Sequence, residues 1–264
     1  MTANLFIAIA LCGLVIGIYS GMFGVGGGIM IIPLLNLVFQ LPVIGSAATS
    51  LFVVAPTALS GAIRHYRQGK IDIKPALTIG ISGACASTAS SLFSERIPDI
   101  VILIITAALI IYCAYTMIRS ALKPAIDKEG RTSENRFKTP VTFTVAMIVL
   151  GFFAGSLAGI VGLGGGFIII PIAVSYLGYT FKQSTALSLM SITLICIPGI
   201  ITHAVLGHVW YLYGLALMIG TIPGANIGVR ILPRIPEKAI RLTFGIVLVI
   251  TGLLLVARQQ LTGI

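Results

Sequence analysis

Asp and Glu number only seven in this 264-residue chain, and none stands in the interior of an apolar stretch. A cation site built from buried carboxylates is therefore not signalled. Charged residues of both signs amount to 9% against 57% hydrophobic, which leaves too little polar surface to cover a water-soluble particle. The chain reads as an all-α polytopic membrane protein. None of its four cysteines, Cys12, Cys85, Cys113 and Cys196, belongs to a C-x-x-C pair, and all have apolar neighbours. Neither metal nor redox chemistry is signalled, no cofactor is implied, and the four thiols are expected to be buried small side chains. No basic region precedes the segment Leu5–Ser20 and no small-x-small cleavage site precedes the glycine run, so that segment is expected to be retained. The net charge of +10 comes largely from loops and segment ends. It marks topology and lipid contact, with no nucleic-acid partner.

What the chain does have is glycine in a repeated arrangement. Gly17, Gly21, Gly24, Gly26, Gly27, Gly28 and Pro33 recur at a constant offset of 138 as Gly155, Gly159, Gly162, Gly164, Gly165, Gly166 and Pro171. The same offset relates Ser46, Ser50, Gly61, His65 and Gly69 to Ser184, Ser188, Gly199, His203 and Gly207. The register holds without gaps, so the chain is an internal duplication. Its repeats are 1–122 and 139–264, joined by a charged linker over 123–138.

Each repeat opens with an apolar stretch, 4–40 or 140–180, too long for one crossing of a hydrocarbon core of about 30 Å. Each must break at its glycine run. Three spans follow in each repeat, at roughly 46–63, 75–93 and 99–119, then 184–202, 211–229 and 239–257. The arms after the breaks, about 28–40 and 166–180, are short for a crossing, which leaves eight or ten segments. Basic residues separate the two counts. The loop with Arg64, Arg67, Lys70 and Lys74 is basic while its counterpart near His203–His208 is not, and the next pair of loops reverses the bias through Arg230, Arg234, Lys238 and Arg241. That alternation predicts two inverted repeats of five segments each: a glycine-broken hairpin plus three transmembrane helices.

Glycine inside an apolar helix costs roughly 1 kcal/mol relative to Ala, so six in twelve residues require an offsetting purpose. Gly24, Gly26, Gly27 and Gly28, with Gly162, Gly164, Gly165 and Gly166, are expected to form unwound turns whose amides face a ligand at the start of the following arms. Pro33 and Pro171 mark the helix break beyond each turn. Broken helices at matching places of two inverted repeats point to a transporter's central site. Hydroxyls of Ser46, Thr49, Ser50, Ser184, Thr185 and Ser188 would complete a neutral cradle for an oxyanion. The plainer reading of the same small residues is close helix packing. Arg64, His65 and His203 stand at span ends as gating or proton-handling candidates, or simply as interfacial anchors. Asn226 is an amide inside a span that serves either substrate or a neighbouring helix. The loops G-V-G-G-G and G-L-G-G-G are not nucleotide cradles, because no Lys-Ser or Lys-Thr follows and their flanks are apolar helices.

The paired G-x-x-G-x-G-G-G-x-x-x-x-P motifs, with the segment Ser46–Gly69, resemble those of the TauE/SafE sulfite exporter family, also called the TSUP permeases. The resemblance implies a multi-pass permease of a bacterial or archaeal inner membrane, not an enzyme, that moves sulfite, sulfonates such as sulfoacetate, or a related sulfur-containing anion. Export by alternating access at a midplane site is the resulting expectation; a channel-like facilitator and a non-transporting assembly factor are the alternatives, and a homodimer is left open.

Overall fold

The computed structural model describes residues 3–69, 72–93, 98–122 and 140–261. The inter-repeat linker over 123–138 lies outside them. The first repeat contributes α1 (Ala3–Phe23), α2 (Gly28–Pro33) continued by a π-helical turn (Leu34–Val38), α3 (Val43–Arg67), α4 (Ile73–Phe93) and α5 (Asp99–Leu122). The second contributes α6 (Pro140–Val161), α7 (Gly166–Ser175), α8 (Phe181–Val205), α9 (Tyr211–Ile231) and α10 (Glu237–Leu261). Among the described residues the fold is all helical and each helix has its counterpart at the sequence offset. Six helices, α1, α3, α4, α6, α8 and α9, are long and apolar enough to cross a membrane. Helices run two to four residues past most of the apolar spans at one or both ends; at α8 a capping box does this, since Thr180 Oγ1 accepts from the Gln183 amide at 3.2 Å while its own amide donates to Gln183 Oε1 at 3.0 Å.

Packing follows the duplication. α1 lies on α9, and its equivalent α6 lies on α4. Glycine ridges make these contacts close: a Cβ on Gly17 would stand 2.6 Å from Thr221 Cα, and one on Gly21 would stand 2.9 Å from Ala225 Cα. Small residues every fourth position let the backbones meet, as in helix pairs within lipid. Contact numbers rise together along α1 and α9 (Gly13 with Leu217, Gly17 with Thr221), so the pair is parallel. α3 and α9 are also parallel, since the Trp210 amide donates to Thr49 Oγ1 at 3.0 Å and Ser60 Oγ donates to the Ile222 carbonyl at 3.1 Å. α3 and α8 run antiparallel instead, with Gly61 against Leu189 and Gly199 against Leu51.

These directions fix what the short helices do. α1 and α3 both run parallel to α9, so the chain must return between them, and only α2 with its π turn is available. Eleven helical residues rise about 17 Å, roughly half a hydrocarbon core. Asn36 closes that arm by donating to the Leu41 carbonyl at 2.7 Å. α5 and α10 then cover the arms of the opposite repeats, α5 against α7 and α10 against α2. Phe244 of α10 stacks on Phe23 with ring centroids 5.3 Å apart and meets Phe181 edge-on. One expectation is corrected: Cys113 and Cys196 are buried, but Cys12 and Cys85 are exposed on the outer faces of α1 and α4. A thiol is apolar enough to face hydrocarbon, so burial in protein is not required of it.

Candidate functional site: two interlocked glycine turns

Both glycine runs break their helices as the sequence requires. Gly24, Gly26 and Gly27 have φ of 68°, 76° and 88°, and Gly162, Gly164 and Gly165 have 78°, 77° and 77°, all in the left-handed region. Gly28 and Gly166 are the first residues of α2 and α7. Both turns are wholly buried. They also meet: a Cβ on Gly26 would stand 2.6 Å from Val54 Cγ1 and 3.4 Å from Ile192 Cγ2, and one on Gly164 would stand 2.9 and 3.2 Å from the same two atoms. Val54 and Ile192 are themselves equivalent across the duplication and sit midway along α3 and α8. Each turn is further wedged into the other repeat, Gly24 against Thr185 and Gly162 against Ala47.

α2 and α7 therefore both start near the middle of the bundle. Their first-turn amides have no intrahelical carbonyl to receive them, and the positive ends of their dipoles are aimed at that middle. The Gly24 carbonyl lies against Gly166 at the start of α7 and accepts from the Ser188 hydroxyl at 2.7 Å, which ties the first turn to the second repeat. Ser20 and Ser50 are fully buried, and neither hydroxyl has a hydrogen-bond partner among the described residues. Ser50 is the counterpart of Ser188, so one repeat's serine closes on the opposite turn while the other's is left with its capacity unused. A buried hydroxyl without a partner costs roughly 1–3 kcal/mol, which a bound polar ligand would recover.

The remaining hydroxyls are engaged locally. Ser184 and Thr185 donate to the carbonyls of Thr180 and Phe181 at 2.9 and 3.0 Å, and Ser46 donates to Leu41 at 3.4 Å. Thr49 receives the Trp210 amide, which shows Trp210 anchoring a helix start as well as lying near a boundary. Asn226 Nδ2 donates to Ser60 Oγ and, at 3.3 Å, to the Ile222 carbonyl, so the amide joins α9 to α3. Pro171 lies within α7, and Pro33 ends α2 where the π turn takes over. Arg64 and His65 are at the last turn of α3, roughly 22 Å along the helix from Ser50. His203 closes the last turn of α8 at the other end of the bundle. Ser20, one of the small hydroxyl residues the sequence offers for the cradle, neighbours Gly27, whereas His208, whose Nδ1 lies 3.4 Å from His203 Nδ1, was not legible as a functional group. Among the described residues no group of three His, Cys, Asp or Glu side chains gathers in one place.

The family described as sulfite exporter TauE/SafE matches residues 9–255. The chain belongs to that family. It is 31% identical over 241 residues to the probable membrane transporter protein YdhB of Bacillus subtilis, covering 91% of this chain and 96% of YdhB. It is 28% identical to the probable membrane transporter protein YunE of the same organism, covering 94% and 96% of the two chains. A relative from the archaeon Methanocaldococcus jannaschii, the probable membrane transporter protein MJ0441, is 28% identical over 257 residues, 91% of each chain. No solved structure matches. Family membership, these relatives and six apolar helices identify the protein as a multi-pass membrane transporter.

Proposed function

We propose that this transporter exports sulfite, an organosulfonate such as sulfoacetate, or a related sulfur-containing anion, by alternating access to a site between the two glycine turns. The observation that carries the reading is the meeting of both glycine turns at Val54 and Ile192, with Ser20 beside Gly27 keeping a buried hydroxyl that has no partner among the described residues, as does Ser50, the counterpart of Ser188. Amide dipoles and hydroxyls stabilise an oxyanion without a counter-charge. A sulfonate or sulfite oxygen would accept from Ser50 and from the amides around Gly164–Gly166, while Ser188 and the Gly24 carbonyl hold the opposing turn in place.

Alternating access needs two repeats inserted in opposite senses. Antiparallel α3 and α8 favour that arrangement, as does the gathering of Arg64, Arg67 and Arg230 where the parallel helices α3 and α9 end together. That basic end is cytoplasmic by the positive-inside rule. An interior-negative potential then drives anion exit by about 2.3 kcal/mol per charge per 100 mV. The test is flux in proteoliposomes under a valinomycin-set potential, with sulfite, sulfoacetate, sulfate and acetate offered in turn. Saturable, potential-following flux of a sulfur anion with counterflow supports the proposal. Non-saturating flux without counterflow would make the protein a facilitator, and absence of flux for every sulfur anion would remove the substrate assignment.

A further inference from the structure

At the end of the bundle opposite the basic loops, α8 closes in a polar cluster whose α4 serines have apolar counterparts on α9, while His208 answers to Lys70. His203 is 1% exposed, with Nε2 3.3 Å from the Gly159 carbonyl and Nδ1 3.4 Å from His208 Nδ1. Ser91 Oγ also donates to the Gly159 carbonyl, at 3.4 Å, and the fully buried Ser87 hydroxyl beside Gly199 has no partner among the described residues. At the equivalent places around His65 the sequence has Ala225 for Ser87, Gly228 for Ser90 and Val229 for Ser91. Gly159 lies in the last turn of α6, three residues before the break at Gly162, so its carbonyl is one of those that a helix end leaves unpaired.

The hydrogen bonds dictate how the rings are protonated. A carbonyl only accepts, so His203 carries its proton on Nε2 when neutral. Its Nδ1 is then an acceptor, and His208 must donate from its own Nδ1. We propose that His208 and His203 form a proton-transfer pair that links transport at the adjacent glycine turn to protons from the outer face; the proposal rests on the transport reading above. A proton arriving at Nε2 of the half-buried His208 is matched by passage of the His208 Nδ1 proton to His203 Nδ1. His203 becomes the imidazolium, His208 is left neutral as its other tautomer, and the Nε2–H bond to Gly159 is kept throughout. The carbonyl end of α6 complements that cation. A second proton would set two N–H groups against each other and open the pair, so one proton is its capacity.

Glu95 and Arg96, which follow α4 in the sequence, lie outside the described residues. α4 presents Ser87, Ser90 and Ser91, α6 presents the Gly159 backbone, and neither α6 nor α7 carries a charged residue. α3 brings its uncharged start, where the Cβ position of Gly45 lies 3.6 Å from the His208 carbonyl. Cys196 is two turns back on α8, and Cys85 of α4 faces outward.

The chain has only three histidines, so the test uses full-length protein with 15N-histidine, first by NMR and then in proteoliposomes containing a pH dye. His203 should show protonated Nε2 and bare Nδ1 at alkaline pH and should titrate together with His208. Sulfite flux should move protons, and His203→Gln, which keeps a donor for Gly159, and His208→Asn should each reduce protons moved per anion to the level of empty vesicles. Independent titration of the two rings, or a His203 protonated on Nδ1 at alkaline pH, overturns the pair whether or not the vesicles carry sulfite. Unchanged proton movement in His203→Gln overturns it too and leaves His203 a structural cap. Loss of sulfite flux in the wild type alone, with the coupled titration intact, counts against the substrate and not against the pair.

Discussion

Replacing Gly162 by Ala isolates what the interlocked turns demand. Gly162 has φ of 78°, and a Cβ there would lie 2.5 Å from Ala47 Cα. Gly207 has φ of 75°, yet nothing lies within 4 Å of its Cβ position. Left-handed backbone costs an alanine roughly 1–2 kcal/mol at either position. Only Gly162→Ala must also push α6 from α3, backbone against backbone, which adds about 1–3 kcal/mol. The expected losses are therefore about 2–5 kcal/mol for Gly162→Ala and about 1–2 kcal/mol for Gly207→Ala, read from unfolding in mixed micelles by SDS titration. Flux should be lost in the first and kept in the second. Equal destabilisation of the two variants would refute the claim that these turns are held by contact between repeats.

Ser188→Ala and Ser50→Ala form a matched pair at equivalent positions. The first strands the buried Gly24 carbonyl and should cost about 1–3 kcal/mol, while the second removes a buried hydroxyl with no partner among the described residues and should stabilise the ligand-free protein by about 1–3 kcal/mol yet raise the KM for the exported anion. Micelle unfolding and initial-rate flux separate the two effects. Thr57→Val should weaken the 2.7 Å contact with Thr221 by about 0.6 kcal/mol, measured in a double-mutant cycle with Thr221→Val. Single cysteines introduced at Arg67 and Arg230 in a cysteine-free background should both react with impermeant maleimide from the cytoplasmic side only, and one at Gly207 from the outer side only. Labelling of Arg67 and Gly207 positions from the same side would remove the inverted arrangement.

The duplication, the two breaks and the helical spans were legible because each is written in backbone chemistry. A left-handed turn inside a membrane helix calls for glycine, and that demand survives at Gly24 and Gly162 whatever surrounds them. The short arms were legible as short, but α2 as a half-crossing required knowing that α1, α3 and α9 run the same way. Partners were not legible, since a serine in an apolar span looks alike in all its uses. Ser184 and Thr185 bond their own helix, Ser188 bonds the opposite turn, and Ser50 bonds nothing. Asn226 turned out to be helix glue to Ser60. His208 left no mark beyond standing five residues after His203, because a loop histidine gains meaning only from the ring it meets. The exposed Cys12 and Cys85 show the same limit, as neighbouring residues in sequence do not say which helix face looks at lipid.

The central claim is that both glycine turns hold one anion between them. Hydrogen–deuterium exchange of the reconstituted transporter, with and without sulfite, tests it directly. The account predicts slowed exchange in the peptides covering Gly24–Ile29 and Gly162–Phe167 together, saturating with sulfite and absent with sodium chloride at equal ionic strength. Protection confined to one turn, or appearing only in the last turn of α3 around Arg64–Arg67, would contradict it.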